Sequence, residues 1–387
     1  MSKFSDLYLW ELRKIWRRRI TKITLAVMAV LAAMSILGDA LFYEYSDGDN
    51  DENISGYTQI QRKAQASRSI SGRTIDDAML DDMRAAIDTS EQAAMQYEEL
   101  YGYLWGLYGD DDKTYASDAD TMYQERLAGV RRLWDFQYLD DGEKAYWEQK
   151  ETGISPFQWQ YADGFVQILA SENMLNMLLL FLLAICLPSV FAEEHLRKTD
   201  QLILSSRFGK QKLYGAKLLA GVTFGVLSAV LLGAITCVLS LWLYGTDGFD
   251  ACMQMVVTEC SWTMTVGQAA VLFLVLVLVL SVLYSVLAMF LVKLLKNSIA
   301  VLGILVGTFF LCLLVQPPYH LRLISRLYAL LPSSALVDRM LKNDCLYHVL
   351  GHYLTGWQMI LIVYAIAVLL MAWLGGKLYR KYQITGR

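Results

Sequence analysis

Six stretches of this chain are apolar for long enough to cross a hydrocarbon layer: about 20–42, 172–192, 213–244, 264–292, 298–316 and 357–377. Crossing takes about 20 mostly apolar residues in a helix, because lipid offers no partner for an open backbone. The pattern predicts an all-α polytopic membrane protein with six transmembrane helices. It leaves one long gap, 43–170, that lipid would not accept. That block holds 26 Asp and Glu against 11 Lys and Arg, a net charge of −15. The chain of 387 residues carries −4 in total, so the remainder carries +11.

The chain then divides into a cytoplasmic helix (1–19), span 1 (20–42), an acidic extracytoplasmic domain (43–170) and a membrane domain with spans 2–6 (171–387). No small-residue cleavage site follows the first apolar run, so that run is expected to be retained as a span. Lys and Arg near span ends set orientation. Arg13, Lys14, Arg17, Arg18, Arg19 and Lys22 precede span 1. Arg197, Lys198, Arg207, Lys210, Lys212 and Lys217 follow span 2, Lys293 and Lys296 follow span 4, and Lys377, Arg380, Lys381 and Arg387 follow span 6. These places alternate correctly for the cytoplasmic side of a cell membrane, with both termini inside and 43–170 outside. Arg322, Arg326, Arg339 and Lys342 oppose the rule, because they lie in an outer segment. Trp242, Tyr244, Trp262 and Trp357 fall at proposed outer ends, and Trp373 and Tyr379 at an inner end, where headgroups favour aromatic rings.

In residues 3–18, Phe4, Leu7, Tyr8, Leu12, Ile15 and Trp16 recur at helical spacing. Asp6, Glu11, Arg13, Lys14, Arg17 and Arg18 take the other face. This predicts an amphipathic helix lying in the inner interface. The block 43–170 reads as mostly helical. Thr74 and Asp77 suggest one helix start and Ser117 and Asp120 another. Ile75, Met79, Met83 and Ile87 form one apolar stripe, and Met122, Leu127, Val130 and Leu133 a second. The aromatic run 97–112 reads as domain core, with a hinge or a contact patch as the alternative. This block has no cysteine; Cys252 and Cys260, outside it, could be bridged or free. Residues 317–356 mix apolar residues with arginines around Pro332, and predict two short helices at the outer interface.

Several chemistries are missing. No G-x-x-x-x-G-K-[ST] loop is present to cradle ATP phosphates, and no H-E-x-x-H pair to hold a protease zinc. The span centres carry almost no ionisable group, which argues against a proton-coupled carrier; a Na⁺ site of neutral oxygens stays open. Cys345, His348 and His352 stand at i, i+3 and i+7 and would share a helix face, as zinc ligands do. Their fourth partner would have to be Asp344 or His320, and the expectation is that this is an ordinary interfacial helix without metal. No nucleic-acid partner, bound cofactor or catalytic residue is expected.

Between spans 2 and 3 the chain leaves lipid and returns. Leu196, Thr199 and Ile203 can line one helical face there, leaving Glu193, Glu194, Arg197, Lys198 and Asp200 for water or a protein. A short amphipathic element on an inner loop suits docking into a partner, and equally suits a charged connector. The order Glu193-Glu194, Arg197, Thr199, Leu202–Leu204, Ser206-Arg207, Lys210 and Gly215-Ala216-Lys217-Leu218-Leu219 resembles the first cytoplasmic loop of permease subunits of ABC-type exporters, in the drug and polysaccharide exporter class. Six spans, an amphipathic N-terminal helix and short outer helices between spans 5 and 6 are also similar to that family. Residues 43–170 fall outside the resemblance. The family usually has Gly where Lys198 stands, and often Pro where Ser205 stands.

The resemblance implies that 193–212 is a coupling loop seated in a separate ATP-binding subunit, with Glu193, Glu194, Arg197, Thr199 and Asp200 as coupling residues. It implies two permease subunits and two ATPase subunits, ATP being hydrolysed only in the partner. It also implies outward movement of a hydrophobic or amphipathic substrate such as a peptide, drug or lipid-like compound. The alternative is a membrane sensor or assembly scaffold whose acidic outer domain binds a ligand or protein, with a cationic partner favoured by its charge.

Overall fold

The computed structural model describes residues 4–47, 52–109, 118–190, 212–315, 318–334 and 336–381. Helix α1 (Phe4–Arg17) ends at Arg18, whose extended backbone turns the chain into α2 (Arg19–Phe42). A ribbon of β1 (Glu44–Asp47) against β2 (Glu52–Ser55) brings the chain back to the end of α2. Among the described residues there follow α3 (Gly56–Ser69), α4 (Asp77–Thr89), α5 (Glu91–Ala94), α6 (Glu98–Tyr108), α7 (Ala119–Phe136) and α8 (Asp141–Glu151). Helices α9 (Asp163–Ala170) and α10 (Glu172–Cys186) are bent by 43° across Ser171. Then come α11 (Lys212–Tyr244), α12 (Val266–Leu295), α13 (Ser298–Leu314), α14 (Arg322–Ala329) and α15 (Val337–Leu341). A hairpin of β3 (Tyr347–Val349) and β4 (His352–Leu354) leads into α16 (Gly356–Lys381).

Among the described residues four helices, α2, α11, α12 and α16, are long and apolar enough to cross a membrane, and the bent pair α9–α10 brings the number to five if it counts as one span. Helix α13 is apolar but has 17 residues. It starts sharply, because the Asn297 side chain accepts from the Ile299 and Ala300 amides. It ends where Val315 becomes extended.

Between apolar helices in lipid, close backbone approach replaces hydrophobic burial as the source of attraction. Helix α11 supplies a seam of small buried residues at helical spacing: Gly221, Gly225, Ser228, Ala229, Gly233, Thr236 and Ser240. The tightest point is Gly225. A β-carbon there would lie 2.1 Å from Ser285 Oγ and 3.1 Å from the Ser281 carbonyl oxygen of α12. Tyr284 of α12 donates to Asn176 Oδ1 of α10 at 3.1 Å, a hydrogen bond between two buried side chains.

The described residues between 52 and 162 form a helical cap over one end of the bundle. Ile75, Met79, Met83, Leu100, Tyr103, Leu104, Met122, Phe157 and Trp159 share one buried core. Both expected stripes therefore reach the interior, although Ile87, Leu127 and Leu133 are only half-buried. The helix starts lie beside the expected residues. Asp76 rather than Thr74 caps α4, accepting from the Met79 amide, and Asp118 rather than Ser117 caps α7, accepting from the Thr121 amide. Asx side chains reach the third amide and are preferred caps.

The cap is bolted to the segments between the apolar helices. Val130, Trp134, Leu139 and Trp147 pack in the same core as the bundle helices. Trp262 lies against Trp147, ring centroids 5.1 Å apart, and is buried. The fully buried Asp344 gathers several contacts. Trp134 Nε1 donates to its Oδ2 at 3.0 Å, Trp147 Nε1 to its carbonyl oxygen at 2.7 Å, and its own amide donates to Gln137 Oε1 at 2.8 Å. Burial pushes the Asp344 carboxyl up to about 8, with Glu151 and Glu259 adding repulsion.

The arginines that oppose the positive-inside rule have structural work here. Glu143, buried in α8, accepts from Arg322 and from Arg326 at 2.8 Å, and also from the Leu346 amide at 2.9 Å. Arg322 adds Asp140 at 3.1 Å. Arg339 donates to the carbonyls of Cys312 at 2.9 Å and Leu313 at 3.3 Å, closing the C-terminal end of α13. On the other side of α14, Leu323, Ile324 and Leu327 are exposed. Two short helices, α14 and α15, occur where they were expected, but the hairpin after them was not foreseen.

Candidate functional site

The resemblance places the functional contact at the end of the bundle opposite the cap. Glu193, Glu194, Arg197, Thr199 and Asp200, with the whole of 193–211, lie outside the described residues. The platform from which that segment leaves and to which it returns is described.

Helix α1 is amphipathic, as its periodicity predicts, and lies along the start of α11. Ile15 is buried, Trp16 meets Phe224 edge-on with centroids 5.3 Å apart, and Tyr8 Oη donates to Thr223 Oγ1 at 3.0 Å. Glu11 departs from the expected polar face: its side chain is fully buried. The cause is 206 residues away in sequence. Lys217 of α11, also fully buried, brings its Nζ to 3.7 Å from Glu11 Oε1. Lys14, one turn further along α1, lies 3.9 Å from Glu11 Oε2. An exposed pair of this kind contributes little, but a buried one is strongly disrupted when either partner is removed.

Lys217 also ties the two ends of the undescribed segment together. Its Nζ donates to the carbonyl oxygen of Val190, the last described residue before the segment, at 3.5 Å. Arg18 donates to Ser189 Oγ, and to the Ser189 carbonyl at 3.4 Å. The chain thus leaves at Val190 and returns at Lys212 beside one buried cation. The end of α16 closes the platform. Tyr379 lies 5.6 Å from Tyr214, and Lys293 Nζ stands 4.5 Å from the Tyr379 ring centroid. Tyr214 Oη donates to the Ala372 carbonyl at 3.1 Å.

No protein-family profile and no curated protein matches this sequence. The likeness to exporter permeases therefore stands on the quoted residues.

The proposed metal face is not formed as a helix. Residues 347–354 are a hairpin, with His348 opposite Tyr353 and His352 opposite Val349. Cys345 precedes the hairpin, and its thiol lies 3.9 Å from the Gln137 carbonyl oxygen. Alternation along a strand separates side chains that a helix would have aligned. Among the described residues no three His, Cys, Asp or Glu side chains are grouped to hold a metal ion. Cys252 and Cys260 are both free, so the bridge that spacing allowed is not formed.

Sequence reasoning named Lys217 as a basic residue near a span end and as part of the motif 215–219, and it missed the Glu11 partner. The available signal was Glu11 itself, four residues before Ile15 and so on the same helical face as the apolar stripe.

Proposed function

We propose that this chain is the membrane-spanning permease subunit of an ATP-driven exporter, coupled through 193–212 to a separate ATP-binding subunit. The observation that carries the reading is the buried Glu11–Lys217 pair. It fixes the N-terminal helix to the helix that follows the proposed coupling loop, so force applied to either is delivered to the same span. In this reading α13 and the α9–α10 pair complete six spans, the basic end faces the cytoplasm of a cell membrane, and the cap lies outside. Two copies, or this chain and a related one, form the pathway with two ATPase subunits. Glu193, Glu194, Arg197, Thr199 and Asp200 contact the motor. The substrate is a hydrophobic or amphipathic compound moved outward.

The test is purification in mild detergent from the native host, with identification of what accompanies the chain. A stoichiometric subunit that hydrolyses ATP, lost on Glu194→Lys together with Asp200→Lys, supports the proposal. A clean preparation with no nucleotide-binding partner overturns it. That outcome favours the sensor or scaffold reading. One feature speaks for it: a cleft of about 350 Å³ where the cap meets α2, lined by Asp39, Glu98, Glu99 and Asp163 around Lys63.

A further inference from the structure

Two aromatic side chains of the cap stand beside aromatic side chains of the membrane domain. Tyr57, in the first turn of α3, has its ring centroid 6.5 Å from that of Trp242, near the end of α11. Phe136, the last residue of α7, lies 5.3 Å from Tyr319, just beyond the end of α13. Neither is an interior contact: Tyr57 and Phe136 are exposed, and Trp242 is 66% exposed. The turn after Phe136 repeats the pattern. Tyr138 has a φ of +56°, a left-handed conformation that glycine or asparagine adopts with less strain. A tyrosine stands there instead, with more than half of its surface outside the protein.

Helix α14 adjoins this turn, because Arg322 reaches Asp140 at 3.1 Å. Arg322 and Arg326 face the cap, while Leu323, Ile324 and Leu327 are each more than half exposed. The same helix meets the end of α13, where Tyr328 donates to the Val315 carbonyl. Leu311 and Leu314 of α13 are exposed there too. The apolar side chains of the turn and of α14 therefore continue a surface that begins on an apolar helix.

That continuity says what covers them. Trp242 stands on α11, which is long and apolar enough to cross a membrane, so its exposed ring meets lipid. A cap aromatic placed against it meets the same layer. Tyrosine and tryptophan favour the headgroup level, and a helix with leucines outward and arginines behind them suits the interface plane.

We propose that the cap rests on the outer leaflet, with Tyr57 at one point and Phe136, Tyr138 and the apolar face of α14 at another, set into the boundary between headgroups and acyl chains. The posture of the cap is then fixed by the leaflet as well as by the contacts of Glu143 and Asp344. The inference rests on the spans and not on the exporter reading.

The experiment uses the full chain in discs of phosphatidylcholine, with a nitroxide on Tyr57→Cys, Phe136→Cys or Leu323→Cys, and on Asp88→Cys of the acidic helix α4 as the water-facing reference. All four positions are exposed, so none of these changes opens a core. The wild-type chain taken through the same labelling gives the contribution of the native cysteines, which is subtracted. Oxygen concentrates in lipid and a nickel chelate stays in water. The ratio of their relaxation enhancements is expected to be several-fold higher at 57, 136 and 323 than at 88. A ratio at any of the three equal to that at 88 overturns the proposal. So does spin–spin broadening at 57 or 136 that disappears on dilution with unlabelled chain, because a second copy then covers the patch.

Discussion

Replacing Asp344 with Asn should make the cap more stable in alkaline solution and change how its stability depends on pH. Burial holds the carboxyl at about 8 in the folded chain against an ordinary value of 3.8. The folded state therefore binds a proton more readily than the unfolded one between these values. Stability contributed by this group is fully present below about pH 4, declines through the interval, and is gone above about pH 8. Each unit is worth about 1.4 kcal/mol, so the ionised form disfavours the folded cap by roughly 5 kcal/mol. Asparagine cannot ionise, and its carbonyl oxygen still accepts from Trp134. Its new N–H groups take the place of Oδ1, which has no partner among the described residues; left unpaired they cost about 1–3 kcal/mol. Thermal unfolding followed by tryptophan fluorescence is a suitable assay, since Trp134 and Trp147 both hydrogen-bond to Asp344. At pH 8.5 the variant should unfold on the order of 10 °C above the wild type. Below about pH 4 this advantage should be gone. Parallel pH profiles, or a variant less stable at pH 8.5, would refute the argument.

Glu143→Ala removes a buried carboxylate from two guanidinium groups and the Leu346 amide. Arg322 and Arg326 are 39% and 27% exposed and rehydrate, so the loss should be roughly 2–4 kcal/mol rather than more; limited proteolysis should then cut near α14. Lys217→Glu leaves two carboxylates buried together and should cost about 3–5 kcal/mol, read as lost yield of monodisperse protein, with the exchange Glu11→Lys/Lys217→Glu recovering most of it. Gly225→Ala should cost about 1–3 kcal/mol by overpacking α11 on α12. Adding Ser285→Ala removes the nearest atom and should restore part of the loss in a detergent melting assay.

The apolar elements were legible in the sequence because a span is a local property: α2, α11, α12 and α16 follow from runs of composition. The amphipathic α1 and the stripes through Ile75 and Met122 follow from periodicity. Other features were not legible because their causes are distant. Nothing near Glu11 announces Lys217, and nothing near Arg322 announces Glu143. Arg322 and Arg326 at i and i+4, with Leu323 and Leu327 between and after them, do spell an amphipathic helix, but the partner is fixed only by the fold. Cys345, His348 and His352 misled because their spacing suits a helix and the backbone there is extended. Of the candidate coupling site, the sequence supplied the residues and the structure supplies the anchors on either side.

Helix α11 has one further consequence. Its 33 residues extend roughly 50 Å, some 20 Å more than the hydrocarbon is thick. One end holds Lys217 against Glu11; at the other, Gln61 donates to the Leu243 carbonyl at 2.8 Å and Tyr161 to the Tyr244 carbonyl. A single unbroken rod thus has its handle in the basic platform and its tip in the acidic cap. A swing of about 10° at the handle would carry the tip several ångströms sideways. A displacement at the platform would thereby reach the cap directly, without any relay of small steps through the bundle.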